Sequence, residues 1–115
     1  MFRDFLEEMS SLAPGFDREF TKSDEEARKY SWTEWPYERD LYDVIKDDII
    51  RAFTPYNPGF FEHDCDPLDR SDPVEYVVCN VIHDIKDIVA DSGLTPEEFY
   101  IRLRRALHNS LYAHR

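Results

Sequence analysis

The chain has 115 residues, and its 25 aspartates and glutamates against 14 lysines and arginines give a formal net charge of −11 at pH 7. This length predicts one domain, 1–115, and a content of 42% hydrophobic and 15% aromatic residues is enough for a small core, which argues against wholesale disorder. So strong an acidic balance argues against direct binding to nucleic acid or to anionic membranes, because both select lysine and arginine.

Local signals predict helices along nearly the whole chain. Apolar residues with helical spacing predict a first helix over 2–12, which ends before Pro14. A serine and a glutamate three residues apart predict a short capped helix or turn over 23–30. Pro36 suits a first helical position and predicts a second strong helix over 37–53.

The two remaining helices are marked by their ends. Asp72 is a natural N-cap for a helix that runs to about Ser92, where Gly93 supplies a stop, and its valines and isoleucines recur with a period of about 3.6 residues. A last helix is predicted to begin at Thr95. We therefore predict an all-α fold, a compact bundle of four or five helices with one long acidic and aromatic loop, 54–71.

The densest set of ligand-type side chains lies in this loop, but its spacing argues against a metal ion. Glu62, His63, Asp64, Cys65 and Asp66 are consecutive, whereas zinc ligands come in pairs two to four residues apart. A calcium loop that started at Asp64 would lack the glycine that its turn requires. We therefore predict no metal and no other cofactor.

Two His-Asp dipeptides are the sharpest sign of an enzyme. Helical metal phosphohydrolases of the HD class use such a pair, and His63, His83 and Asp84 could supply three of the ligands. The last ligand is missing, because residues 94–115 contain no aspartate, and His83 is predicted to face solvent, away from the valine stripe. We predict that the chain is not an enzyme.

The two cysteines, Cys65 and Cys79, are too few for a disulfide framework. Cys79 is predicted on the outer half of its helix, and the carboxylates around Cys65 would raise the pKa of its thiol. No apolar run approaches the ~20 residues of a membrane span, and the first residues are too charged for a secretory leader. We expect a soluble protein of the reducing cytoplasm.

The remaining candidate site is an acidic surface. Carboxylates mixed with aromatic rings suit a basic protein partner, because the rings act as desolvated anchors and the carboxylates pair with arginine and lysine. The predicted partner-binding residues lie on the 37–53 helix, in the long loop and on the helix after it: Asp40, Asp43, Asp47, Tyr56, Phe60, Glu62, Asp64, Asp66, Asp69, Tyr76 and His83.

In size, helical build, charge and the run TPYNPGFFEHDCDPLDRSDPVEYV between two helices, the chain resembles bacterial immunity proteins, the small acidic cytoplasmic inhibitors of contact-dependent growth inhibition toxins and colicins. The stretch DRSDPVEYVVCNVIHDIKD is similar to the colicin nuclease immunity family, a four-helix fold with acidic and tyrosine contacts. Helix order and the paired-tyrosine element differ, so no residue role is carried over. The resemblance implies neutralisation of a cognate toxin, usually a nuclease, by covering or flanking its active site.

Two alternatives stay open. An acidic mimic of nucleic acid would occupy a DNA- or RNA-binding protein, and Asp40, Asp43 and Asp47 rise about 4.5 and 6 Å along a helix, close to the phosphate spacing of one strand. The arginine-rich last helix, which includes Arg102, argues against a mimic. That helix could instead meet the acidic face of a second copy, in a weakly dimerising interaction module.

Overall fold

The computed structural model describes residues 1–22, 39–55 and 72–112. Within these ranges the chain is helical and has no strand, which confirms the predicted all-α bundle. The short helix predicted over 23–30 and most of the long loop lie outside the described residues. The elements are α1 (Phe2–Leu12), α2 (Phe16–Phe20), α3 (Leu41–Phe53), α4 (Pro73–Ser92), α5 (Pro96–Leu107) and a closing π-helical turn (His108–Tyr112).

The ends of α4 and α5 follow the predicted signals. The side chain of Asp72 accepts hydrogen bonds from the backbone N–H groups of the second and third residues of α4, at 2.9 and 3.3 Å. Gly93 ends α4 with φ at +76°, a conformation that residues with a Cβ rarely adopt. Thr95 caps α5 by accepting from the N–H of Glu98 at 3.2 Å.

The predicted start of the second strong helix is wrong. α3 begins at Leu41 rather than at residue 37, and Asp40 is its N-cap. The Asp40 carboxylate accepts from the N–H of Tyr42 at 2.8 Å, so one of the otherwise unpaired first amides is satisfied there. The capping aspartate, and not the upstream proline, therefore sets the first turn.

The five-residue helix α2 was not predicted. Gly15, at φ +89°, reverses the chain after α1, and α2 then buries both Phe16 and Phe20. The Phe20 ring lies 5.7 Å from that of Phe5 and 5.0 Å from that of Phe99, centroid to centroid, in edge-on contacts that aromatic pairs favour. A helix this short is marginal alone, so tertiary packing of its two rings stabilises it.

One hydrophobic core joins the five helices. α1 packs on α2 and α4, α2 packs on α5, and α3 packs on α4 and α5. The inward residues of α5, which include Phe99, Leu103 and Leu107, are buried. The largest fully buried side chains are Phe5, Phe16, Phe20, Phe99, Met9, Ile45, Ile49 and Leu103.

The arginine-rich helix is not an exposed basic surface. Arg102 and Arg105 are 8% and 3% exposed, and both donate to carbonyl groups at the end of α2. Arg105 reaches the Glu19 carbonyl through Nε at 3.2 Å and Nη2 at 2.6 Å, and Arg102 reaches that of Phe20 at 3.3 Å. Arg102 gives the Phe20 carbonyl a donor, and Arg105 adds a charged donor to a Glu19 carbonyl that also accepts the N–H of Lys22 at 3.4 Å. Burial, and then the positive charge of Arg105, lowers the pKa of Arg102.

Cys79 lies in the core and not on the outer half of its helix, so that prediction is wrong. Its side chain is fully buried because α4 packs on α1 at one side and on α3 at the other, which widens its buried face. Cys79 is also disulfide-bonded, and the only other cysteine of the chain, Cys65, lies outside the described residues. Disulfide bonds persist in oxidising compartments, whereas the sequence analysis expected both cysteines to be reduced.

Over the described ranges, no helix has both the length and the apolar character to cross a membrane.

Candidate partner-binding surface

The predicted acidic residues of α3 lie at the surface, but each one already has a contact within the chain. The Asp40 carboxylate caps the helix. Asp47 forms an ion pair with Arg39, and Asp43 lies 4.0 Å from the ammonium of Lys46. All of these side chains are at least one-third exposed, so the pairs stabilise the fold little. These pairs matter more for binding. They locally balance two of the three negative charges, so this surface attracts a cationic partner less strongly.

The predicted residues of α4 divide into two degrees of exposure. His83 is exposed, as predicted, and Asp87 one turn later is exposed as well. Tyr76 and Asn80 are half-buried. Among residues 1–22, 39–55 and 72–112, histidine, cysteine and acidic side chains form no group that could hold a metal ion.

The predicted contacts in the long loop lie outside the described residues. They remain predictions from the sequence: Tyr56, Phe60, Glu62, Asp64, Asp66 and Asp69.

A second concentration of acids was missed at the sequence level. A cleft of about 150 Å³ runs between α1 and α4, and we call it the acidic cleft after Asp4, Glu8 and Asp84. The burial of Glu8 raises the pKa of its carboxyl group, and the negative charges of Asp4 and Asp84 raise this pKa further. The cleft is lined by Met1, Asp4, Phe5, Glu8, Asn80, Val81, Asp84 and Ile88.

Positive charge reaches the acidic cleft from one group among its lining residues, the N-terminal ammonium of Met1. This ammonium lies 4.0 Å from a carboxylate oxygen of Asp4 and 3.6 Å from one of Asp91. Asp91 also accepts the N–H of Phe2 at 2.8 Å, and this hydrogen bond, followed by the ammonium, lowers the pKa of Asp91. No lysine or arginine is among the described residues that line the cleft, and the charges of Asp4 and Asp84 raise the pKa of Glu8, so these acids repel one another.

The burial of two arginines also changes the surface charge. Residues 93–115 contain four arginines and no lysine, which suggests a basic end. Arg102 and Arg105 are buried and donate hydrogen bonds to carbonyl groups of α2, so they do not contribute to an exposed basic surface. The remaining described surface is accordingly more anionic than the sequence alone indicates.

A third arginine of α5 contributes to a second cleft, between α3 and α5. Asp48 is 15% exposed, and its Oδ2 lies 3.7 Å from Nε of Arg104. Burial raises the pKa of Asp48, although the charge of Arg104 and a hydrogen bond with Tyr100 act to lower it. The pKa of Tyr100 is raised by its own burial and by the Asp48 carboxylate. The guanidinium of Arg104 lies 5.6 Å from the centre of the Tyr100 ring.

Comparisons with known proteins add no assignment: no protein-family model, curated protein or solved structure matches this chain.

Proposed function

We propose that this chain is an immunity-type protein, which binds a cognate cationic toxin and neutralises it, with a nuclease as the expected toxin class. The observation that carries the proposal is the acidic cleft between α1 and α4. There, Asp4, Glu8 and Asp84 lie close together, with no lysine or arginine among the lining residues of the described ranges. A toxin that must hold nucleic-acid phosphates carries the opposite charge.

Binding would relieve a repulsion that the free protein contains. A lysine or arginine side chain from the partner, placed in the acidic cleft, would replace like-charge contacts with ion pairs. Paired charges across an interface speed the encounter and reject partners of the wrong sign. At about 0.15 M salt the screening length is about 8 Å, so a partner would respond to the local cluster more than to the distant charges of the chain.

The alternatives receive less support. A mimic of nucleic acid needs a row of unbalanced carboxylates, whereas Arg39 and Lys46 balance two of the three carboxylates in the α3 row, those of Asp47 and Asp43. A homodimer through the basic last helix needs exposed arginines, but Arg102 and Arg105 are buried and Arg104 faces Asp48. Neither alternative uses the acidic cleft.

The place of action remains a prediction. The sequence favours the cytoplasm, whereas the disulfide bond of Cys79 favours an oxidising compartment.

The experiment is a pull-down from the source lysate with three baits of the full chain. One bait is unchanged. The second carries Asp4→Asn, Glu8→Gln and Asp84→Asn in the acidic cleft, and the third carries Asp40→Asn, Asp43→Asn and Asp47→Asn on α3. Both variants lose three negative charges, and asparagine keeps the N-cap of α3, so the third bait is a matched control for net charge.

We expect one dominant basic protein on the unchanged bait and on the α3 variant, and its loss from the cleft variant. Equal retention on all three baits would contradict the role of the acidic cleft. Capture of many nucleic-acid-binding proteins would favour a mimic instead. Equal loss from both variants would show that total charge, and not this cleft, determines binding.

A further inference from the structure

The cleft between α3 and α5 is positively charged in a strongly acidic protein. It has a volume of about 160 Å³, and we call it the arginine cleft. Its lining side chains come from α3, α5 and the first residue of the π-helical turn: Asp48, Arg51, Ala52, Arg104, Leu107 and His108.

The charges that line this cleft do not cancel. Among the described lining residues, two guanidinium groups, from Arg51 and Arg104, lie with one carboxylate, that of Asp48. Asp48 is largely buried, with Oδ2 on the Nε side of Arg104. Arg51 is exposed and Arg104 half-exposed, so the cationic groups are more accessible than the carboxylate.

From this arrangement, we propose that the arginine cleft binds a phosphate-type oxyanion. Guanidinium groups present paired N–H donors in a planar fork that matches the oxygens of such an anion. The two guanidinium groups exceed the charge of Asp48 by one, which matches the sign of an oxyanion. An anion between Arg51 and Arg104 would also relieve the repulsion between the two guanidinium groups.

The size of the cleft agrees with this ligand class. A volume of about 160 Å³ is well above the roughly 10–15 Å³ that holds one enclosed water, so the cleft has room for one phosphate group with part of its hydration shell. Ala52 and Leu107 supply apolar walls, which lower the local dielectric and strengthen the charge contacts. The net charge of −11 opposes entry only weakly at physiological salt, because charges beyond about 8 Å are screened.

Asp48 has a positioning role in this proposal. Its Oδ2 approaches Nε, the inner nitrogen of the Arg104 side chain, and Tyr100 provides a hydrogen bond to the same carboxyl group. These contacts hold Arg104 against the Tyr100 ring. Its guanidinium group is therefore already oriented before the anion binds. This site is separate from the acidic cleft and does not depend on the proposed toxin partner.

The test is a titration of the full chain with inorganic phosphate, at constant ionic strength kept with sodium chloride. Backbone amide resonances and the ring resonances of His108 are followed by NMR. We expect saturable shifts confined to residues of the arginine cleft, with a dissociation constant in the millimolar range. Sulfate, which has the same shape and charge type, should compete.

Arg51→Gln is the main variant, because Arg51 is exposed and its loss leaves the core intact, and Arg104→Gln is the second. The control is Arg3→Gln, which removes one exposed positive charge from α1. We expect at least tenfold weaker phosphate binding in both cleft variants and less than a twofold change in the control. Shifts that grow linearly without saturation, or equal weakening in all three variants, would overturn the proposal.

Discussion

Replacing Glu8 by glutamine should stabilise the free protein and weaken its binding to the cationic partner. Glu8 is the member of the acidic cleft whose pKa is raised, by burial first and then by the charges of Asp4 and Asp84. Glutamine keeps the size and polarity of the side chain but removes its charge. The two effects have opposite signs because the same negative charges repel one another in the free protein and attract the partner in the complex.

The gain in stability can be bounded from the structure. Like charges at this kind of spacing cost a few tenths of a kcal/mol per pair, and Glu8 faces two such neighbours. Its side chain is only partly buried, so solvent screening limits each term. The sum is about 0.5 kcal/mol, which corresponds to a rise of about 2 °C in Tm for a domain of this size.

The gain should depend on pH in a defined direction. The folded chain holds the Glu8 proton more tightly than the unfolded chain, for which the ordinary value is 4.5. Stability from this proton is therefore present below pH 4.5 and is lost as the pH rises through the raised pKa. The difference between Glu8→Gln and the unchanged protein should be largest near pH 7 and should disappear below about pH 4.5.

Urea unfolding at several pH values measures this difference, and Glu7→Gln is the control. Glu7 is an exposed neighbour on the same helix with the same charge, so its substitution should change stability by less than half as much. A neutral or destabilising Glu8→Gln, an equal gain from the control, or a gain that is the same at pH 4 and pH 7 would refute the electrostatic account of the cleft.

Three other changes test the core of the fold. Arg105→Met should lower the free energy of unfolding by about 3 kcal/mol, because it removes the charged donor of the Glu19 carbonyl. Arg104→Met should cost less, about 1 kcal/mol, since Arg104 is 40% exposed and Asp48 keeps its hydrogen bond with Tyr100. Equal losses in urea unfolding would contradict the buried-donor role. Cys79 is disulfide-bonded, and Cys65 is the only other cysteine in the sequence. Reduction should therefore release two thiols in a thiol titration and lower the free energy of unfolding by about 3 kcal/mol, the value for a closed loop of about 15 residues. Two free thiols before reduction would contradict this. Gly93→Ala should cost about 1 kcal/mol through its positive φ alone, because no atom lies within 4 Å of the added Cβ, and an unchanged Tm would argue against this helix stop.

The predictable parts of the fold are those with strong local signals. Asp72 and Gly93 mark the two ends of α4 because capping and positive φ depend on the residues next to the end. The start of α3 was misplaced because the sequence contains two start signals, Pro36 and Asp40. The helix begins after the second, with Asp40 as its N-cap. α2 was not predicted because five residues are too few to show a helical period of apolar residues. It is stabilised by contacts with aromatic rings of other helices.

The site was less predictable than the fold, because it depends on which helices meet. Asp4 and Glu8 share one face of α1 by spacing, but only the packing of α1 on α4 brings Asp84 beside them. Arg102 and Arg105 were counted as surface charges because hydropathy alone assigns arginine to solvent. Their burial follows from the carbonyl groups that they contact at the end of α2, a helix that was not predicted from the sequence.

The most direct test of the central claim is neutralisation itself. The partner captured by the unchanged bait is purified, and its toxic activity, nuclease activity first, is titrated with the chain. We expect complete loss of activity at one chain per partner, and at least a tenfold higher requirement for the variant with Asp4→Asn, Glu8→Gln and Asp84→Asn. Full activity of a partner that is saturated with the chain would contradict the proposal that this protein confers immunity.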